Sequence, residues 1–323
     1  MTDQSLAQAS NVALYVTMGV LTLAMLAFAV HLAVQGSRVP RHERARRSEQ
    51  VSVGAGGVDT LERAADPDPP AAPASRRWGV IGVQLTWLAT FTLVACIALR
   101  GLSVQRAPLG NMYEFALVAA AFTLFVYASW SLRSDRTWLG LFVVTPVLLI
   151  LGLALVVWYT EASQLLPSLD DRFWLVIHVT VATLSTALFT IGAVLAGLYL
   201  VRDRAERATG QPTGWLSALP RAAVLERTAY AVHIIAFPLW TFTLIAGAIW
   251  AEQAWGRYWG WDPKEVWTFV VWVVYVAYLH ARATTGWTTR KATWLAIAGY
   301  GCILINFGVV NVFLVGMHSY SGL

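Results

Sequence analysis

Long, nearly unbroken apolar runs alternate with short polar intervals along this chain. They fall at about 12–34, 79–99, 114–132, 137–158, 174–201, 229–250, 266–283 and 293–316. Each is close to or above the roughly 20 residues an α-helix needs to cross a hydrocarbon core of about 30 Å. Barrel strands would alternate over about ten residues instead. The pattern predicts an all-α fold, a polytopic membrane helix bundle with about eight transmembrane helices. The first run is followed by arginines and lacks a small-residue cleavage site, so it reads as a retained helix within residues 1–35. Residues 36–77 are rich in Arg, Pro, Ala and acidic side chains, with a proline-dense segment from Asp66 to Pro73. Such a stretch buries too little apolar surface to fold and predicts a disordered cytoplasmic linker. Residues 78–323 then form one helical domain.

Composition strengthens the membrane reading. The chain is 57% hydrophobic and 13% charged, where soluble domains carry about 25% charged residues. The net charge of +5 is read as topology, and no nucleic-acid partner is expected. If the long linker is cytoplasmic, only Arg100, Arg106, Arg172, Arg257 and Lys264 of the 23 cations fall on the other side. That asymmetry orients the chain with both termini outside, together with the loops near 100–113, 159–173 and 251–265. The two cysteines, Cys96 and Cys302, lie in separate apolar runs. There is no CxxC pair and no CxxCH motif, which excludes a dithiol oxidoreductase and a cytochrome c.

The loop before the seventh run reads Trp255-Gly256-Arg257-Tyr258-Trp259-Gly260-Trp261-Asp262-Pro263-Lys264-Glu265. Asp262, Pro263 and Glu265 have the spacing of an N-cap, a first-turn proline and a capping box. Capping leaves the aromatic cluster unexplained. An interfacial belt accounts for scattered Trp, but this density suits a flat ligand that gains offset stacking and buried area.

The WGRYWGWDPKE run resembles the tryptophan-rich signature of the heme-handling superfamily that includes the CcsA (ResC) and CcmC/CcmF proteins of cytochrome c biogenesis. Residues Arg106 to Glu114, Leu166 to Leu169 with Trp174 to His178, and Asn306 to Gly308 through His318-Ser319-Tyr320 are similar to CcsA in particular. The resemblance covers roughly 78–323. It implies a subunit of a cytochrome c synthase that presents heme b at the outer face, where the CxxCH thiols of an apocytochrome c add to its vinyl groups. His178 and His318 match the family's two external iron ligands, and the charge-derived topology brings both to the face that carries the Trp loop. His280, set within the seventh helix, matches the transmembrane ligand, whose partner histidine comes from a CcsB/ResB-like membrane subunit. A thiol-reducing system is a further implied partner, and a bacterial plasma membrane the implied location, before a thylakoid. Trp255, Trp259, Trp261 and Asp262 are the candidate platform. Arg257 and Lys264 are candidates for the propionates, against headgroup contact or snorkelling for these and for Arg106. Asn111 and Glu114 read as a cap for the third helix. His233, His31 and His42 receive no ligand role. Two other readings are a CcmC-like heme transfer to a chaperone without ligation, and a solute transporter without heme. Transporters often carry internal repeats and broken helices, and neither is visible here.

Overall fold

The computed structural model describes residues 3–37, 73–163, 172–210 and 212–318. Most of the predicted linker, residues 38–72, lies outside that set, as do residues 164–171 and 319–323. Among the described residues eight helices are long and apolar enough to cross a membrane. They are α1 (Gln4–Gly36), α2 (Pro73–Val104), α3 (Met112–Arg133), α4 (Gly140–Val157), α5 (Arg172–Thr209), α6 (Ala222–Trp255), α7 (Pro263–Ala283) and α8 (Thr289–Leu304). The eight apolar runs each correspond to one of them. Several helices outrun their apolar stretch. α5 and α6 continue in polar turns beyond it, and α2 begins at Pro73, so the last residues of the predicted linker are helical.

Two cores hold the bundle. In the first, α1 packs along α2 and against α4, while α3 joins α2, α4 and α5. Leu14, Leu21, Phe28, Leu93, Leu117, Leu124, Tyr127, Leu139 and Leu151 fill it. In the second, α5 pairs with α6 and touches α8, and α7 packs on α8. Its centre is Phe189 stacked on Tyr275 at 3.9 Å, with Trp240, Ala292 and Ala296 around them. Between the cores, at one end of the bundle, Leu109, Leu175 and Val179 form a smaller apolar cluster.

All the connections at that end converge. The Asp3 N–H donates to the Ser103 carbonyl at 2.9 Å, Asn11 reaches the Tyr159 hydroxyl, and Met317 lies over the start of α7. Both described ends of the chain therefore share the end that carries the Trp loop. Past Leu304 the last helix changes register, running as a π-helix over Ile305–Val310 and an α-turn over Asn311–Phe313. π segments frequently mark functional sites, and this one faces the cavity described next.

Candidate functional site

α6 ends at Gly256, whose φ of 69° is the left-handed conformation that glycine adopts without penalty. The loop that follows is tied to the start of α7 by two carboxylates. Glu265 accepts the Gly260 N–H at 2.8 Å and the Asp262 N–H at 3.1 Å, and pairs with Arg257 at 3.3 Å. Asp262 accepts the Lys264 N–H at 3.0 Å. The predicted capping box is present. Asp262 also reaches the far end of the chain, where it accepts the Met317 N–H at 2.6 Å and faces His318 Nδ1 at 3.0 Å. Burial pushes its carboxyl up, but the His318 ring and these N–H donors outweigh burial and hold it at about 2.

A cavity opens beside this loop, between α3, α5, α6, α7 and the π segment of α8. Its walls bound about 1210 Å³ of space, the open solvent at its mouth included. His178 and His318 both line it, with Trp259, Tyr258, Trp250, Trp240, Phe307 and Lys264. His178, in the second turn of α5, sits on Gly247 of α6: a Cβ there would stand 2.7 Å from the ring. Its ring lies 5.6 Å from Trp250. The His318 ring meets Trp255 edge-on at 4.7 Å. Opposite, Phe307 packs against Phe115 at 5.2 Å and Trp158 at 4.9 Å. Lys264 extends its ammonium to the Asn306 carbonyl of the π segment at 3.1 Å.

The far rim is set by a buried ionic knot. Glu114 is fully buried and accepts from Arg100 at 2.9 Å, from both terminal nitrogens of Arg106 at 2.9 and 3.0 Å, and from the Gly110 N–H at 2.7 Å. The guanidiniums donate onward to the Thr160 and Ser163 carbonyls. The segments near residues 100–114 and 160–163 are thus locked together, and Gly110, Asn111 and Met112 are presented to the cavity.

Six of the nine predicted site residues gather here: His178, His318, Trp255, Trp259, Asp262 and Lys264. Of these six, Trp255 and Asp262 stand behind His318 and do not line the cavity themselves; the other three predicted residues do not line it either. Trp261 is 76% exposed, with its indole edge on Trp259 at 5.9 Å. Arg257 is turned to Glu265. His280 lies in the last turn of α7, exposed, at the opposite end of that helix from the cavity. At 17 residues past Pro263 it stands about 25 Å along the axis. Snorkelling does not describe Arg106, whose side chain is 4% exposed and engaged with Glu114 and with the Ala107 and Ser163 carbonyls. Asn111 does cap α3, accepting the Glu114 N–H at 2.9 Å, whereas the Glu114 carboxylate serves the knot and not the cap. Sequence reasoning also missed Trp250, Gly247 and Arg100. Their only linear signal is an aromatic, a glycine and a charge in or next to an apolar run, with nothing to say which side each faces.

Fold and site define the class: a polytopic membrane protein with an aromatic-lined cavity at one end of the bundle, flanked by two histidines. The family model described as cytochrome C assembly protein matches residues 109–318, and the chain belongs to that family. A cytochrome c biogenesis protein CcsA of Guillardia theta is 33% identical over 75% of this chain and 86% of its own length. Its namesake from Synechococcus sp. (strain JA-3-3Ab) is 32% identical over 75% and 84%. That from Prochlorococcus marinus (strain MIT 9303) is 34% identical over 73% and 83%.

Proposed function

We propose that this chain is the heme-presenting membrane subunit of a cytochrome c synthase, with heme b as its substrate in the cavity and the iron held between His178 and His318. The observation that carries the reading is the convergence of those two imidazoles, 140 residues apart in sequence, on one aromatic-lined space. Among the described residues no group of three or more His, Cys, Asp or Glu side chains gathers as a metal cage. An axial pair on a porphyrin iron needs only two. Trp259, Trp250 and Phe307 supply surfaces for the ring, and Lys264 the cation for a propionate.

The chemistry is thiol addition. Each apocytochrome CxxCH sulfur bonds to a vinyl carbon of the heme and the thiol hydrogen goes to the other vinyl carbon, so atoms balance without an added oxidant. The protein's task is orientation: holding the vinyl edge at the cavity mouth, where an incoming peptide can reach it. A thiol-reducing system keeps the peptide sulfurs competent. His280, exposed and far from the cavity, suits an iron ligand shared with a CcsB/ResB-like subunit. The charge asymmetry supports an orientation with the cavity outward, and a bacterial plasma membrane is the location that goes with this reading.

Co-expression with such a subunit and a CxxCH reporter tests the reading. Trp259→Leu is expected to lower heme content and reporter maturation several-fold with membrane insertion intact, and Trp261→Leu to do so less. Full maturation in a His178→Ala/His318→Ala double variant would refute it.

A further inference from the structure

The π segment carries a hydrogen-bond acceptor that nothing meets. Asn306 is 4% exposed and lines the cavity. Its amide is oriented by Thr268. The Thr268 hydroxyl gives its one hydrogen to the Lys264 carbonyl at 2.7 Å, so at 3.1 Å from the Asn306 amide it can only accept, and the atom that faces it is Nδ2. The other amide atom is Oδ1, and among the described residues it has no donor. A buried acceptor left unmet is costly, and folded proteins keep few of them. The neighbouring cation does not serve it: the Lys264 ammonium is aimed at the main-chain carbonyl of the same residue, at 3.1 Å. Its other two N–H groups remain for a ligand.

Heme b brings two carboxyl groups to such a place. Among the described residues that line the cavity, the titratable ones are Lys264 and Glu265 on α7, His178 on α5, Tyr258 in the loop and His318 past α8, with Asp262 behind His318. Glu265 is tied to Arg257 and to two N–H groups, and the imidazoles belong to the iron in the reading above. Lys264 is the one Lys or Arg of that lining, so a single ammonium would face two carboxylates. Neighbouring carboxylates in a site poor in water retain a proton between them, because ionising the second beside the first is costly. An ionised propionate is repelled by Oδ1, acceptor against acceptor. A carboxylic acid O–H fits it.

We infer that the cavity takes heme with one propionate ionised on Lys264 and the other as the neutral acid, its O–H donating to Asn306 Oδ1, which makes Asn306 a specificity-determining residue for the propionate edge. The inference rests on the heme reading above and goes beyond it: binding at neutral pH takes up one proton.

The test uses the purified full chain with ferrous protoporphyrin IX, whose iron does not bind hydroxide, beside its monoamide and its monomethyl ester. The amide carries a permanent N–H donor and the ester none. The unsubstituted protein is expected to bind the monoamide about tenfold tighter than the monoester at pH 8. It is also expected to lose about tenfold in affinity for the diacid between pH 7 and 8, while the monoamide changes far less. Asn306→Leu, checked for membrane insertion, should bring amide and ester together; the amide-to-ester comparison on the unsubstituted protein needs no variant. Amide and ester bound alike by that protein, or a preference that survives Asn306→Leu, would overturn the inference and leave the heme site standing. Failure of all three porphyrins to bind would refute the heme reading itself.

Discussion

Glu114 carries no solvent exposure, yet two guanidiniums, a backbone N–H and two interhelical loops depend on it. Two buried cations share this one carboxylate, which leaves an excess of positive charge in the cluster. Removing the carboxylate strands both guanidiniums, a loss of about 3–5 kcal/mol when a buried pair is broken. Glu114→Gln is therefore expected to lower the thermal midpoint markedly in detergent and to open the rim to protease near residue 105. A midpoint unchanged from the parent would mean that the knot is dispensable. None of this was legible in the sequence. Arg100 closes an apolar run like any interfacial cation, and Glu114 sits at a capping position that explains it well enough alone.

At the scale of elements, helix ends and helix contacts place the two ligands. His178 depends on α5 meeting α6 where α6 has no side chain. Gly247→Val should push the ring from its seat and cut low-spin heme severalfold; an unchanged spectrum would show that α6 yields. The start of α7 depends on Asp262. A carboxyl held at about 2 when folded, against 3.8 for the free group, contributes stability that is full above about pH 4 and is lost as pH falls toward 2, of order 2 kcal/mol. Unfolding followed by Trp fluorescence should therefore show the parent losing more stability than Asp262→Asn between about pH 4 and 2. Equal losses would remove the carboxylate from the account. The cap, the proline and the Trp loop could be read directly, because capping chemistry has a fixed local spacing. The π segment at Ile305–Val310 could not, since a mostly apolar stretch with a single Asn fits either helical period. The polar extensions of α5 and α6 escaped for a related reason: hydropathy marks what lipid covers, not where hydrogen bonding stops.

For the whole molecule, the claim that organises all others is orientation. Asp3, the Trp loop and His318 share one end of the bundle, and the scarcity of cations at that end predicts that it faces outward. In a background without Cys96 and Cys302, an impermeant thiol reagent added to intact cells should label Gln4→Cys and miss Thr285→Cys in the turn after α7. The reverse pattern would put the cavity on the cytoplasmic face. The eight spans and the shared face of His178 and His318 were both visible beforehand, since apolar run lengths and arginine placement are properties of the chain that membrane insertion itself reads. The most direct measurement of the central claim is electron paramagnetic resonance of the purified full chain loaded with hemin, alone and as His178→Ala and His318→Ala. Two imidazoles on one iron predict a low-spin ferric signal in the parent that becomes high-spin in each variant and returns with added imidazole. A low-spin signal that survives both substitutions would contradict it.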